Sequence, residues 1–155
     1  MNWKSLTLEG GIYFGEDTDP DKLVSHLAYC LQQESANDVD VHGHRIAFKA
    51  GMFRLVSNWN PLVPFEPGEL AVDLANRQVY YQVGFRQLVV VGTLIPIFLF
   101  AFSWLAHAWQ VLIFMPFMWL WTVGGNLAIG VVRFQRFVSR SIESSPRRAA
   151  QVPLV

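Results

Sequence analysis

The stretch DVDVHGHRIAF, residues 38–48, places Asp38, Asp40, His42 and His44 at alternate positions. Carboxylate oxygens and imidazole nitrogens are metal ligands, and alternate residues of a strand share a face, so one continuous strand would align four potential ligands. The apolar residues argue against that register. In a single strand the Asp/His face would run on into Ile46 and Phe48, while the other face would pass from Val39 and Val41 to Arg45 and Lys49. Each face would change character halfway, which a half-buried strand does not accommodate. With His42-Gly43 as a two-residue hairpin loop, Val41 faces His44, Asp40 faces Arg45 and Val39 faces Ile46. Val39, Val41, His44, Ile46 and Phe48 then share one face, and Asp38, Asp40, Arg45, Ala47 and Lys49 the other. The expectation is a hairpin, with no metal and no cofactor.

No other stretch carries a reactive constellation. The chain has no G-x-S-x-G, no H-E-x-x-H, no phosphate loop and no dinucleotide fingerprint. His26 reads as a helix-surface residue and His107 as part of a short turn, while Asp73 and Arg77 read as a local ion pair flanking a hairpin turn. Cys30 is the only cysteine, which excludes an internal disulfide framework, and its spacing on an apolar helix face suits a small buried hydrophobe. Enzymatic activity is not expected.

The elements around these residues predict an α+β fold: a small N-terminal antiparallel sheet of meander hairpins with one amphipathic helix, followed by a two-helix transmembrane hairpin. LTLEGGIYF, residues 6–14, suits a strand, with Gly10 and Gly11 pointing to a bulge. Asp19 as N-cap, Pro20 in the first helical position and Leu23, Val24, Leu27, Ala28, Cys30 and Leu31 at helical spacing predict an amphipathic helix. A second hairpin with an Ala50-Gly51 loop would set Phe48 opposite Phe53 and Ile46 opposite Leu55. A third, with a turn near Ala75-Asn76, sets Leu70, Val72 and Leu74 against Val79, Tyr81 and Val83. These elements make up a domain of residues 1–86.

Between Arg86 and Arg133 there is no charged side chain. About 45 such residues at ~1.5 Å each would make a rod of roughly 68 Å, about twice the ~30 Å hydrocarbon thickness of a bilayer, so two spans fit and one does not. The polar break SWLAHAWQ divides the segment 87–132 into helices near 88–105 and 109–132. Arg86 precedes the first helix, and Arg133, Arg136, Arg140, Arg147 and Arg148 follow the second. Basic residues favour the cytoplasmic side, so a cell-membrane location with two spans and both termini cytoplasmic is expected. The N-terminus has no apolar core of a secretory signal. Residues 1–86 hold eleven acidic against seven basic side chains, and the segment 133–155 reads as a basic tail with five arginines against Glu143. Anionic headgroups are its expected partner, through Arg133, Arg136 and Arg140, with the acidic domain as the alternative. No nucleic-acid partner is expected at a net charge of zero.

Three features carry functional weight. In GGNLAIG, Gly124, Gly125 and Gly130 remove bulk so that a helix can approach, and Asn126 prefers an interhelical partner to lipid. That is an assembly surface, facing either another chain or the first helix of the same chain. The loop of residues 57–68 interleaves Trp59 and Phe65 with prolines, which suits a partner surface or a plug at the end of the sheet. Pro96 and Pro116 fall one in each span, as kinks or packing sites. The expected function is that of a non-enzymatic membrane subunit or adaptor, forming a homo-oligomer or a heteromeric complex and presenting its cytoplasmic domain to a partner. The alternatives are a homo-oligomeric channel or transporter and, behind it, a membrane-anchored metal-dependent enzyme or sensor.

Overall fold

The computed structural model describes residues 6–34, 36–49, 62, 65, 67–105 and 113–146. Five strands, β1 (Thr7–Tyr13), β2 (Asn37–His42), β3 (Arg45–Lys49), β4 (Gly68–Asp73) and β5 (Gln78–Gly84), form one antiparallel sheet in the order β1-β5-β4-β3-β2. Helix α1 (Pro20–Gln33) joins β1 to β2. Helix α2 (Arg86–Leu105) leaves directly from β5, and α3 (Met115–Glu143) returns to the sheet. The α+β class holds.

Alternation makes the sheet one-sided. Ile46 and Phe48, Leu70 and Val72, and Val79, Tyr81 and Val83 are buried, whereas Arg45, Ala47 and Lys49, and Tyr80 and Gln82, point to the open face. Helix α1 lays Leu23, Val24, Leu27, Ala28 and Leu31 into the core. Its start follows from local chemistry: the Asp19 carboxylate accepts from the Asp21 backbone N–H at 3.2 Å, and Pro20 needs no N–H partner in the first turn.

The remainder of the core comes from α3. Residues 133–143 belong to the same helix, which runs through Arg133 to Glu143, and Phe134, Val138 and Ile142 are buried in the same cluster as α1 and the sheet. Phe134 stands at the centre of an aromatic group, its ring centroid 5.4 Å from Tyr81, 5.5 Å from Phe65 and 6.3 Å from Phe48 and Phe137. The next residue, Gln135, donates from Nε2 to the Tyr81 hydroxyl at 2.7 Å. The basic residues occupy the other side of an amphipathic helix, so the folded domain is completed from beyond the uncharged segment.

Several expectations are corrected in detail. The β2–β3 turn lies at Gly43-His44, not His42-Gly43, pairing Val41 with Ile46 and His42 with Arg45. That register differs by two from the expected one, and with a side-chain period of 2 both registers keep Val39 and Val41 on the face of Ile46 and Phe48. Turn geometry decides: the first residue of such a two-residue hairpin loop needs a positive φ, which Gly43 has (59°) and His42, absent from the positive-φ residues, does not. The far edge of β3 is taken by β4, with Ile46 opposite Leu70 and Phe48 opposite Gly68. Phe53 and Leu55 themselves lie outside the described residues. Strand β1 has no bulge. It pairs with β5 without interruption from Thr7↔Gly84 to Tyr13↔Gln78, and Gly10 is needed because the Tyr81 side chain occupies the place of a Cβ.

The β4–β5 hairpin sets Leu70 and Val72 against Val79 and Tyr81 as read, pairing Leu70 with Tyr81 and Val72 with Val79, but Leu74 belongs to the turn and is exposed. Asp73 and Arg77 are not partners. The Asp73 carboxylate accepts from the Ala75 N–H (2.8 Å), the Asn76 N–H (3.2 Å) and Asn76 Nδ2 (2.8 Å), while Arg77 pairs with Glu16 at 2.9 Å. The Asn76 side-chain amide, then its backbone N–H, hold the Asp73 carboxyl below its ordinary value of 3.8. A depressed folded value means stabilisation that is present above the unfolded value and lost as pH falls through the folded one. The Ala75 and Asn76 amide resonances should therefore titrate with a midpoint below 3.8, and a midpoint at or above it would contradict the turn geometry.

Candidate assembly surface

Two helices are long and apolar enough to cross a membrane, within Arg86–Ser103 and Met115–Glu143, and only 11% and 17% of their apolar windows are buried inside the chain. The core helix of a soluble domain would be mostly buried; here Phe98, Phe102 and Leu105 of α2 and Phe117, Leu120 and Trp121 of α3 are exposed. Proline is accommodated in both. Pro116 lies in the first turn of α3, where no N–H partner is lost, and Pro96 lies inside α2.

The hairpin closes through a glycine of α2. A Cβ at Gly92 would run into Val123 of α3, so the absent side chain sets the approach. Trp119 Nε1 donates to Thr93 Oγ1 at 2.9 Å, and that hydroxyl donates to the Val89 carbonyl at 2.6 Å. Overpacking a close contact costs about 1–3 kcal/mol, so Gly92→Leu should lower hairpin stability by that amount in a detergent unfolding titration, whereas Gly125→Leu should not.

Gly124 and Gly125 do not serve that contact. A Cβ at Gly125 would meet nothing within 4 Å, and one at Gly124 only Leu120 of its own helix at 3.5 Å. Both glycines line an open apolar groove of about 650 Å³ with Phe117, Trp121 and Thr122. Within the chain, the small-residue surface is thus turned away from α2. Gly130, by contrast, is buried. The glycines also fall at the end of a π-helical stretch, Leu120–Gly125, flanked by residues in α conformation so that α3 continues through it. Such widened turns recur where a helix does something besides pack. Asn126 Nδ2 donates to the Thr122 carbonyl at 2.7 Å and Thr122 Oγ1 donates to the Met118 carbonyl at 2.7 Å, so both polar side chains are engaged with their own helix.

No family model matches the chain, and no curated protein or solved structure matches it either.

The other sequence-selected residues divide. Phe65 plugs the core against Phe134 and is buried, which removes it as an exposed anchor, and Trp59 lies outside the described residues. Arg133 is half-buried, and Arg136 and Arg140 are exposed on α3. The Asp/His stretch does not converge: Asp40 pairs with His42 at 2.9 Å and Asp38 with Lys49 at 3.3 Å, and among the described residues no three metal-ligating side chains come together. Arg45 pairs with Glu69 at 3.4 Å instead of Asp40. One contact escaped sequence reading. His26 Nε2 lies 3.0 Å from Ser144 Oγ and 3.6 Å from Cys30 Sγ, tying α1 to the end of α3 across 118 residues of chain. The i, i+4 spacing of His26 and Cys30 is visible in the sequence, but nothing local points to Ser144.

Proposed function

We propose that the protein is a small integral membrane subunit or adaptor, without enzymatic activity, that joins a larger assembly through α3 and holds its α+β domain at the cytoplasmic surface. The observation that carries this reading is the double commitment of α3. One side of its cytoplasmic half completes the domain core, while the glycine-lined groove of its apolar half is left open. A helix used in this way transmits the position of a membrane partner to the domain without a flexible linker.

In this reading α2 and α3 span the bilayer, both termini are cytoplasmic, and Arg86 and Arg133 mark the cytoplasmic boundary of the hydrocarbon. Arg133 meets anionic headgroups. The channel alternative draws no support from Asn126 or Thr122, since each is hydrogen-bonded back to its own helix.

The test is native mass spectrometry of the complex extracted gently through a C-terminal tag. A heteromeric mass is expected. A chain recovered alone, with no partner at any detergent concentration that keeps it folded, would sink the subunit reading.

A further inference from the structure

The subunit reading leaves the partner's chemistry open, and the inference here rests on that reading. Beyond Gly125, α3 has two opposed faces. Leu127, Gly130, Phe134 and Val138, spaced three and four residues apart, are buried or half-buried against the chain. At 3.6 residues per turn, Gly125, Ile129, Val132, Arg136 and Arg140 fall on the other side. Ile129 (51%), Val132 (45%) and both arginines are exposed there. The uncovered face is therefore one continuous strip that begins in the apolar groove and ends as a cationic edge, with no cap or break in the helix between.

Three occupants are conceivable, and the strip discriminates among them. Lipid would cover the apolar half. Yet at ~1.5 Å per residue Arg140 lies roughly 10 Å below Arg133 along an upright helix, and the headgroup layer is only about 5–8 Å deep on each side. A second copy packed in parallel about a twofold axis would bring Arg136 and Arg140 of both chains onto the same seam, where like charges repel. Neither arginine has an ion-pair partner among the described residues. A different chain with carboxylates at that depth meets both halves of the strip.

We infer that this face receives a transmembrane helix of another protein, seated along Gly125, Ile129 and Val132, whose cytoplasmic continuation carries Asp or Glu side chains against Arg136 and Arg140. The glycine lets the partner's backbone approach closely, and the charge pairs select the partner and its register.

The experiment places photoreactive benzoylphenylalanine at Ile129 of the full chain in native membranes and sequences the adduct. The expected adduct joins a membrane span of a different chain that has Asp or Glu within about three turns of its cytoplasmic end. The double variant Arg136→Glu, Arg140→Glu should reduce the yield by about tenfold or more, since like-charge contacts cost at least the 1.4 kcal/mol this represents. Changing the identified carboxylates to lysine should restore it. Both arginines are exposed, so an unchanged urea midpoint serves to separate lost binding from lost folding. An adduct to a second copy, to lipid alone, or to a partner without such acids would overturn the inference, as would a yield indifferent to the charge reversal. A heteromeric native mass together with a lipid-only adduct would leave the subunit reading standing and remove this one, whereas a lone chain would remove both.

Discussion

Phe134→Ala is expected to destabilise the α+β domain by about 3–5 kcal/mol, the range for truncating a buried aromatic side chain. The ring is completely buried and touches residues from three separate sources: Phe48 and Tyr81 of the sheet, Phe65 of the connecting loop and Phe137 of its own helix. A domain of this size has a total stability on the order of 5–15 kcal/mol, so the change consumes a large part of it. Hydrogen exchange of the β4 and β5 amides in detergent micelles would read the effect as accelerated opening. Arg136→Ala, two residues away on the exposed face, should change it by no more than about 0.5 kcal/mol. Equal effects of the two substitutions would mean that α3 does not complete the core.

The second large effect is expected at Gly68. It lies opposite Phe48 across the β3–β4 pair, and a Cβ there would overlap the Phe48 ring, which is itself buried between the sheet and Phe134. The ring has little room to move aside. Gly68→Ala should cost about 1–3 kcal/mol through overpacking, even though alanine is otherwise easily accepted in a strand. Phe48→Leu removes the obstructing atoms at its own cost. The double variant should therefore lose less than the sum of the two single losses, by at least ~0.5 kcal/mol in a urea titration. Strict additivity would show that the ring does not lie over the glycine.

Much of the architecture is legible because burial imposes a period. The apolar spacing of Leu23, Leu27 and Leu31 and the Asp19-Pro20 start identify α1, and alternation identifies the faces of β3, β4 and β5. What alternation cannot supply is register and order. A slip of two residues leaves every face unchanged, so what separates the actual β2–β3 pairing from the expected one is which residue opens the loop with a positive φ, Gly43 and not His42. The placement of β4 beside β3, and of β1 beside β5, depends on contacts far apart in sequence. The charged C-terminal half of α3 is a different case. Phe134, Val138 and Ile142 recur every four residues, a helical stripe visible in the sequence, but the arginines between them suggest a solvated tail when charge is weighed ahead of period. The same misweighing hides the candidate surface, because the strip opposite Phe134 has meaning only once its other side is known to be buried.

Of the residues proposed for assembly, Gly124 and Gly125 stand out in the sequence by type and depth, and the structure leaves them open, whereas Asn126 is hydrogen-bonded back to its own helix. The contact that closes the hairpin is made instead by Gly92, an isolated glycine in an apolar run with no motif to distinguish it from a simple small residue. Phe65 reads equally well as a partner-facing anchor or as a plug at the end of the sheet, and it is the plug that its burial supports. Proline fixes the path of a loop without saying which way its apolar side chains turn.

The most direct test of the account is a spin-label scan of α3 from 117 to 142 in bilayer nanodiscs, one cysteine at a time on a Cys30→Ser background. The central claim is that a single helix passes from lipid into the domain core. It predicts access to oxygen but not to a water-soluble nickel chelate at 117, 121, 125 and 129, access to neither at 134 and 138, and access to the chelate at 136 and 140. Chelate access throughout 117–132 would contradict a membrane span, and uniform chelate access from 133 to 142 would contradict a helix that completes the domain.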